Sequence, residues 1–363
     1  MKIFIFGTRG FPDIQGGVEK HCEALYTRLS DAFSITIFRR KPYIKSTPHC
    51  IHIQFIDLPS TRIKGFEAAF HSLLCTFICI WKRPDIIHVH NIGPGCFIPL
   101  LRLVGLKTVL TYHSANYEHK KWGYLSKKIL KLSEFFALSF ANKIIFVNSF
   151  QLEKQSITIK KKSTYIPNGI NDNLQRTNET SYIKTLNLFP KKYILAVGRI
   201  TPEKGFDDLI EAFTILNDPN YKLVIAGGVE HEINYFNFLK SKNHTEKIIF
   251  TGFITEKHLQ ELYTHSALFV LSSHNEGFPL VVLEAMQLGC NILLSDIPAT
   301  RLLNLPDSYY YPVGDIKKLF KCIKSKLETK YISNHQYNLS KYNWDSICLQ
   351  TSQIYKSLVR KTI

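Results

Sequence analysis

Two glutamates stand eight residues apart in the run Ser272-Ser273-His274-Asn275-Glu276-Gly277-Phe278-Pro279-Leu280-Val281-Val282-Leu283-Glu284-Ala285-Met286. The apolar stretch Leu268–Leu271 before them reads as a strand, and Glu276 follows in a tight glycine-containing turn. Pro279 suits a first helical position. The amides of Leu280 and Val281 then face outward, where free N–H groups and the helix dipole favour an anion. Glu284 lies about two helical turns beyond Glu276, among Leu280, Val281, Val282, Leu283, Ala285 and Met286. A carboxylate in such a helix is costly unless something pairs with it, so Glu284 asks for a ligand or a partner.

A second candidate is Val197-Gly198-Arg199-Ile200-Thr201-Pro202-Glu203-Lys204-Gly205. Here a strand ends and two cations lie five apart before a helix. Arg199 can fork onto phosphate oxygens and Lys204 adds a compact charge, so together they suit a diphosphate. A third is the loop after the first strand, Gly7-Thr8-Arg9-Gly10-Phe11-Pro12 with Gln15-Gly16-Gly17-Val18-Glu19. It is not a G-x-G-x-x-G fingerprint. Gly16 and Gly17 at a helix start let the backbone approach an anion. His88, His90 and His113 end two further strands, where histidines serve either as satisfied core groups or as site residues.

These loops need strands that end beside one another. Lys2–Phe6, Ile35–Phe38, Ile51–Ile56, Ile86–Val89, Thr108–Thr111 and Lys143–Val147 read as strands. Helices are expected at Val18–Leu29, Phe66–Trp81 and Tyr124–Ala141. Residues 170–190, after the turn Pro167-Asn168-Gly169, are polar and read as a linker. A second series follows, with strands Tyr193–Val197, Leu223–Ala226, Ile248–Thr251, Leu268–Leu271 and Ile292–Leu294 and a helix over Gly205–Leu216. From Ile316 a Lys-rich amphipathic helical tail follows. Strands alternating with helices mean βαβ units, and continuous aliphatic runs mean sheets covered on both faces. The expected α/β architecture is two doubly wound domains, 1–168 and 191–340, with 341–363 returning to the first and the ligand in the cleft at the strand C-termini.

The chain has 363 residues, long enough for two such cores. Its net charge is +17. Residues 1–168 hold 24 Lys and Arg against 10 Asp and Glu, while the rest hold 22 against 19. A basic half suits nucleic acid, an anionic membrane surface, a polyanionic ligand or simple solubility. The eight cysteines include no C-x-x-C pair, which removes support for zinc knuckles and dithiol redox chemistry. The opening apolar run is too short for a signal peptide, and Ala68–Trp81 is too short to span a bilayer. The expected location is cytoplasmic, peripheral on the inner face of the membrane.

Taken in order, these motifs resemble the family-4 retaining glycosyltransferases of the GT-B fold. Glu276-x7-Glu284 resembles their signature, and Gly198-Arg199-x4-Lys204-Gly205 their phosphate clamp. Ile166-Pro167-Asn168-Gly169-Ile170 resembles the end of their N-terminal domain, and Gly16-Gly17-Val18-Glu19 their acceptor-side glycine loop. The Gly7–Pro12 opening, Lys121-Trp122 and Lys131-Leu132-Ser133-Glu134 are further similar to bacterial surface-polysaccharide enzymes of the rhamnosyltransferase type. Several of those show Asp-Gly where this chain has His113-Ser114.

The resemblance implies transfer of a hexosyl group, with retention, from a nucleotide diphosphate sugar to a saccharide or lipid-linked saccharide in cell-surface polysaccharide synthesis. It implies that Arg199, Lys204, Gly16, Gly17 and the Leu280 and Val281 amides hold the leaving diphosphate. Glu276 would orient sugar hydroxyls within the turn Gly277-Phe278, and Glu284 would hold the ribose. The base would stack near Gly252-Phe253, and His113 would approach the donor sugar. No cofactor is implied, and with no Asp-x-Asp in the chain no metal is expected. No nucleic-acid partner is expected. Two other readings share features: a sugar-nucleotide 2-epimerase of the same architecture, and a non-catalytic basic membrane adaptor, which leaves Glu276, Glu284 and the clamp unexplained. Lys120, Lys121, Lys127, Lys128 and Lys131, interleaved with Trp122, Tyr124, Leu125, Ile129, Leu130 and Leu132, suit the headgroup region of an anionic leaflet.

Overall fold

The structure, a computed structural model, describes residues 1–14, 16–44, 52–61, 66–115, 117, 123–171, 174–229, 232–242, 246–329 and 335–359. It divides into two compact units, residues 1–169 with 341–363 and residues 170–340. Residues 170–190 group with the second unit and contain the short helix Ser181–Thr185. Lys120, Lys121 and Trp122 lie outside the described residues.

In the first unit the strands are β1 (Lys2–Phe6), β2 (Ser34–Arg40), β3 (Ile53–Leu58), β4 (Ile86–His90), β5 (Thr108–Tyr112), β6 (Lys143–Phe146) and β7 (Ser163–Tyr165). They pair in parallel in the order β3-β2-β1-β4-β5-β6-β7. Alternate residues of one strand serve opposite faces. Ile3 and Ile5 of β1 pack with Cys22, Leu25, Tyr26 and Leu29 of the helix Gly17–Leu29 and with Ile347 and Tyr355 of the helix Trp344–Val359. Phe4 and Phe6 pack on the other face with Cys75 and Cys79 of the helix Glu67–Lys82 and Ala137 and Leu138 of the helix Tyr124–Phe140. Cys75 and Cys79 are thus buried core thiols.

The second unit holds β8 (Tyr193–Val197), β9 (Lys222–Ala226), β10 (Ile248–Gly252), β11 (Leu268–Leu271), β12 (Ile292–Asp296) and β13 (Tyr310–Pro312) in the parallel order β10-β9-β8-β11-β12-β13. Ile194 and Ala196 of β8 meet Phe206, Leu209, Ile210 and Phe213 of the helix Phe206–Leu216, and Leu319 and Ile323 of the helix Ile316–Glu328 cover the same core. The chain runs outward from β8 through β9 to β10, then reverses and runs outward from β11. In the first unit the reversal falls between β1 and β4. Ligands of open α/β sheets bind outside the strand C-termini at such reversals, so the loops after β1, β4, β8 and β11 are where chemistry is to be sought.

Two edge strands escape the sequence pattern. Ser163–Tyr165 and Tyr310–Pro312 are three residues long and lack an aliphatic run. Pro312 is tolerated because β13 pairs only with β12, at the sheet edge.

Candidate active site

The loops after β8 and β11 meet at the second unit's reversal point. Gly205 has φ +60°, and a side-chain carbon there would collide with the carbonyl oxygen of Ser272. Only glycine lets the first loop lie so close to the second. The loops are also tied by Ser272 Oγ donating to the Lys204 carbonyl at 2.8 Å and His274 N donating to the Glu203 carbonyl at 2.8 Å. On this frame Lys204 Nζ donates to Glu276 Oε1 at 2.5 Å, and Ser273 Oγ donates to the same oxygen at 2.6 Å. The two side chains are 16% and 12% exposed. A cation and a carboxylate 72 residues apart in sequence therefore form one charge-assisted contact at the mouth of β8 and β11. Arg199, half-buried, follows β8 on the same loop. His274 Nε2 adds a second pair with Asp208 Oδ2 at 3.2 Å.

Glu284 has the partner that its apolar helix requires. It is buried in the helix Leu280–Gln287, and Tyr263 Oη donates to its Oε2 at 3.0 Å. Tyr263 itself comes from the helix Glu256–His265, and nothing in the local sequence around Glu284 announces it. Two details of the expected anion cradle are corrected. Pro279 is the N-cap rather than the first helical residue. Leu280 N donates to the Phe278 carbonyl at 3.1 Å, so its amide is engaged in a tight turn and Val281 is the residue of the pair left in the open first turn. Phe278 is buried and Gly277 half-buried beside Glu276. Gly252 ends β10 with φ +69°, its carbonyl accepts from Gly227 N at 3.0 Å, and Phe253 follows it 61% exposed.

In the first unit, a side chain at Gly7 would strike the carbonyl oxygen of His90, so glycine brings the end of β1 against the end of β4. Gly16 caps the helix Gly17–Leu29, and its carbonyl accepts from Lys20 N at 3.0 Å. The Glu19 carboxylate turns back to accept from Arg9 N at 3.2 Å. His88, His90 and His113 are all buried, and the structure joins them rather than choosing among them. His90 Nδ1 and His113 Nε2 are 2.9 Å apart, Tyr26 Oη lies 2.6 Å from His90 Nε2 and 2.8 Å from His88 Nδ1, and Tyr355 Oη lies 2.6 Å from His88 Nδ1. Burial pushes His21 down to about 4, His88 to about 3, and His90 and His113 well below the usual histidine value.

His21, His90 and His113 are the group among the described residues whose donor atoms cluster as metal ligands do, all within 4.8 Å of one another. The His90 and His113 rings are nearly coplanar, 27° apart, with centroids 5.2 Å apart and nitrogens 2.9 Å apart. Those distances place the nitrogens head-on along the line of centroids. The two nitrogens face each other as the donor and acceptor of a hydrogen bond, and do not converge on a common ion.

Residues 15–174 match the family model described as Glycosyltransferase Family 4, and residues 180–343 match that described as Glycosyl transferases group 1. The chain is a member of these glycosyltransferases. It is 28% identical over 251 residues to the O-antigen biosynthesis glycosyltransferase WclY of Escherichia coli, covering 67% of each chain. Its fold matches sucrose-phosphate synthase from Thermosynechococcus elongatus with a TM-score of 0.84 at 21% identity over 98% of both chains. It also matches Anabaena Alr3699/HepE, solved in complex with UDP-glucose, with a TM-score of 0.78 at 15% identity over 98% of this chain and 99% of that one. The two parallel-sheet units are those of a GT-B glycosyltransferase, and the expected fold class and the glycosyltransferase assignment hold. No helix among the described residues is long and apolar enough to cross a membrane.

Proposed function

We propose that this glycosyltransferase moves a hexosyl group from a nucleotide diphosphate sugar to a saccharide or lipid-linked saccharide acceptor in cell-surface polysaccharide synthesis, with retention and without a metal. The observation that carries this reading is the Lys204–Glu276 contact across β8 and β11. It sets a cation for a leaving diphosphate beside a carboxylate for sugar hydroxyls, at the reversal point where α/β sheets bind ligands. An ammonium has three donors, so Lys204 keeps two for phosphate while it holds Glu276. Arg199, the Val281 amide and the Gly16-Gly17 helix start add donors for developing negative charge, the group of interactions with the largest leverage on such a barrier. With cations in that role and no Asp-x-Asp pair, transfer needs no divalent ion.

Glu284, oriented by Tyr263, accepts from the ribose, the base lies by Gly252-Phe253, and His113 addresses the donor sugar from the first unit. The similarity to an O-antigen enzyme and to a fold solved with UDP-glucose supports the polysaccharide and nucleotide-sugar parts of the reading.

A peripheral membrane contact is part of the same proposal. The helix Tyr124–Phe140 buries Ser133, Ala137 and Leu138 and leaves Leu125 70%, Ile129 56% and Leu132 56% exposed. An ordinary surface helix turns such residues inward. Here they share the outer face with Lys128 and Lys131, the combination that suits an anionic leaflet.

The deciding experiment is a thermal-shift panel of UDP-, GDP- and dTDP-sugars followed by anomeric analysis of the product. One nucleotide raises the melting temperature, since a ligand that binds only the native state stabilises it by mass action. The product then carries the donor's anomeric configuration. Inversion removes the retaining assignment. Epimerised donor formed without acceptor favours an epimerase instead.

A further inference from the structure

The buried rings of the first unit form a hydrogen-bonded chain, and one consistent hydrogen pattern along it ends on His113. Helix Gly17–Leu29 supplies Tyr26, helix Trp344–Val359 supplies Tyr355, β4 supplies His88 and His90 two residues apart on one face, and β5 with the residue after it supplies Thr111 and His113. The register places His90 opposite Thr111, so His113 follows directly along the same face.

A neutral imidazole has one donor and one acceptor nitrogen, and a hydroxyl has one proton, which limits how such a chain can be satisfied. Two tyrosine hydroxyls crowd His88 Nδ1, with Tyr355 nearer at 2.6 Å and Tyr26 at 2.8 Å. Tyr355 therefore donates to that lone pair. His88 then carries its proton on Nε2 and donates to Thr111 Oγ1 at 2.7 Å. The Tyr26 hydroxyl also meets that of Tyr355, and in this pattern it gives its proton to its shorter nitrogen contact, His90 Nε2 at 2.6 Å. His90 must then donate from Nδ1 to His113 Nε2 at 2.9 Å. That leaves the proton of His113 on Nδ1. Among the described residues no hydrogen bond occupies that nitrogen, and His113 is 6% exposed. The whole sequence holds while every ring is neutral, as their burial favours.

We propose that Tyr26 and His90 are positioning residues that fix the ring orientation and tautomer of His113, so that its Nδ1–H is presented as a donor to an oxygen of the donor sugar. The proposal deepens the glycosyltransferase reading and rests on it for the identity of that oxygen. Such an arrangement removes the freedom of His113 to flip its ring or exchange its donor for an acceptor, the usual task of a group behind a working histidine. His21 closes the pocket edge-on to His113, with ring centroids 5.0 Å apart at 82°.

The wild-type protein supplies the first test. Long-range nitrogen–proton spectra of histidine-labelled chain, assigned by comparison with His113→Asn, distinguish the tautomers directly. His113 with its proton on Nδ1 supports the chain, and a proton on Nε2 overturns it. The second test is kinetic. His90→Leu removes the donor behind His113, while His90→Asn keeps an amide near the position of Nδ1. The expected result is a loss of about 100-fold in kcat for His90→Leu, with nucleoside diphosphate affinity unchanged, and recovery of about tenfold in His90→Asn. Equal losses in both variants mean mere packing and overturn the proposal. One zinc per purified chain, lost in His21→Ala, overturns it in favour of a metal. Unchanged kcat in His113→Asn rejects the role of His113 in transfer, while the wild-type tautomer still decides the hydrogen-bonded chain on its own.

Discussion

The two units build their reversal points from opposite materials. In the second, the loops after β8 and β11 are joined by the ion pair of Lys204 with Glu276, and His274 of the β11 loop meets Asp208 in the first turn of the helix Phe206–Leu216. In the first, the ends of β4 and β5 are joined by neutral rings, with tyrosine hydroxyls and imidazoles in hydrogen-bond contact one after another. The ionic loops are half-buried, so their charges stay partly solvated and remain available to a charged ligand. The ring cluster is fully buried, where an unpaired charge would be expensive and only neutral groups persist. The same topology thus carries an ionic cluster in one unit and a neutral one in the other, and burial decides which.

The sharpest contrast lies in their response to acid. His21 and His71 are held down to about 4 and His88 to about 3 by burial, and all three belong to the first unit. The fold favours their neutral forms, so below about pH 6.5 the unfolded chain binds protons that the native chain refuses. Stability is fully present above that value and is lost as pH falls from 6.5 toward 4. Each such histidine removes roughly 2 kcal/mol by pH 5. Hydrogen exchange across this range is expected to show the amides of the first unit losing protection before those of the second. Simultaneous loss in both units would break the contrast. His88→Gln, a neutral replacement, should shallow the acid slope.

The ionic site predicts a catalytic effect. Lys204→Ala and Arg199→Ala each remove a donor for charge that grows as the glycosidic bond breaks, at a cost of roughly 3 kcal/mol, read mainly in kcat. Because Lys204 also holds Glu276, the double variant Lys204→Ala with Glu276→Gln should lose less than the sum of the two single losses. Additive losses would mean that the contact seen between them has no part in turnover. Glu284→Gln should instead weaken free nucleoside diphosphate and sugar nucleotide alike, because its proposed partner is the ribose that both contain. Calorimetry with the two ligands reads this.

How much of this was legible in the chain follows the range of the interactions. The strands with aliphatic runs, such as Tyr193–Val197, stand where the pattern puts them, because a strand buried on both faces needs every residue apolar. Ser163–Tyr165 and Tyr310–Pro312 carry no such signature; they exist because β6 and β12 offer them an edge. Glu276 and Lys204 were visible as chemistry-bearing types in loops, but their direct contact depends on the fit of Gly205 against Ser272. Glu284 was read as a carboxylate in need of a partner, and the partner, Tyr263, lies in another helix. The resemblance singles out His113, while His88 and His90 read as either core or cleft groups, because spacing along a strand does not show what covers its face. Tyr26 and Tyr355, 329 residues apart, are what turn them into one chain.

The smallest effect concerns the outside of the first unit. Its face along the helix Tyr124–Phe140 carries Tyr124, Leu125, Ile129, Leu132 and Phe135 in the open, and Lys128 Nζ sits 4.5 Å from the centre of the Tyr124 ring. Burying the apolar members in a headgroup layer and placing Lys127, Lys128 and Lys131 near anionic lipid each favour binding, at about 1 kcal/mol per lysine. The expected outcome is sedimentation with vesicles containing anionic lipid at low salt, weakened as salt rises through the Debye screening range. Reversal of charge at Lys127, Lys128 and Lys131 should weaken it further, and Leu125→Ser with Ile129→Ser should weaken it without changing the salt slope. Nucleotide affinity should be the same in every one of these variants, since none of the altered side chains is among the residues proposed to hold the nucleotide. If the apolar variants sediment as well as the wild type while the lysine variants do not, the surface binds polyanions in general. Heparin would then compete with vesicles on equal terms, and the exposed leucine and isoleucine side chains would need a protein partner instead of a membrane.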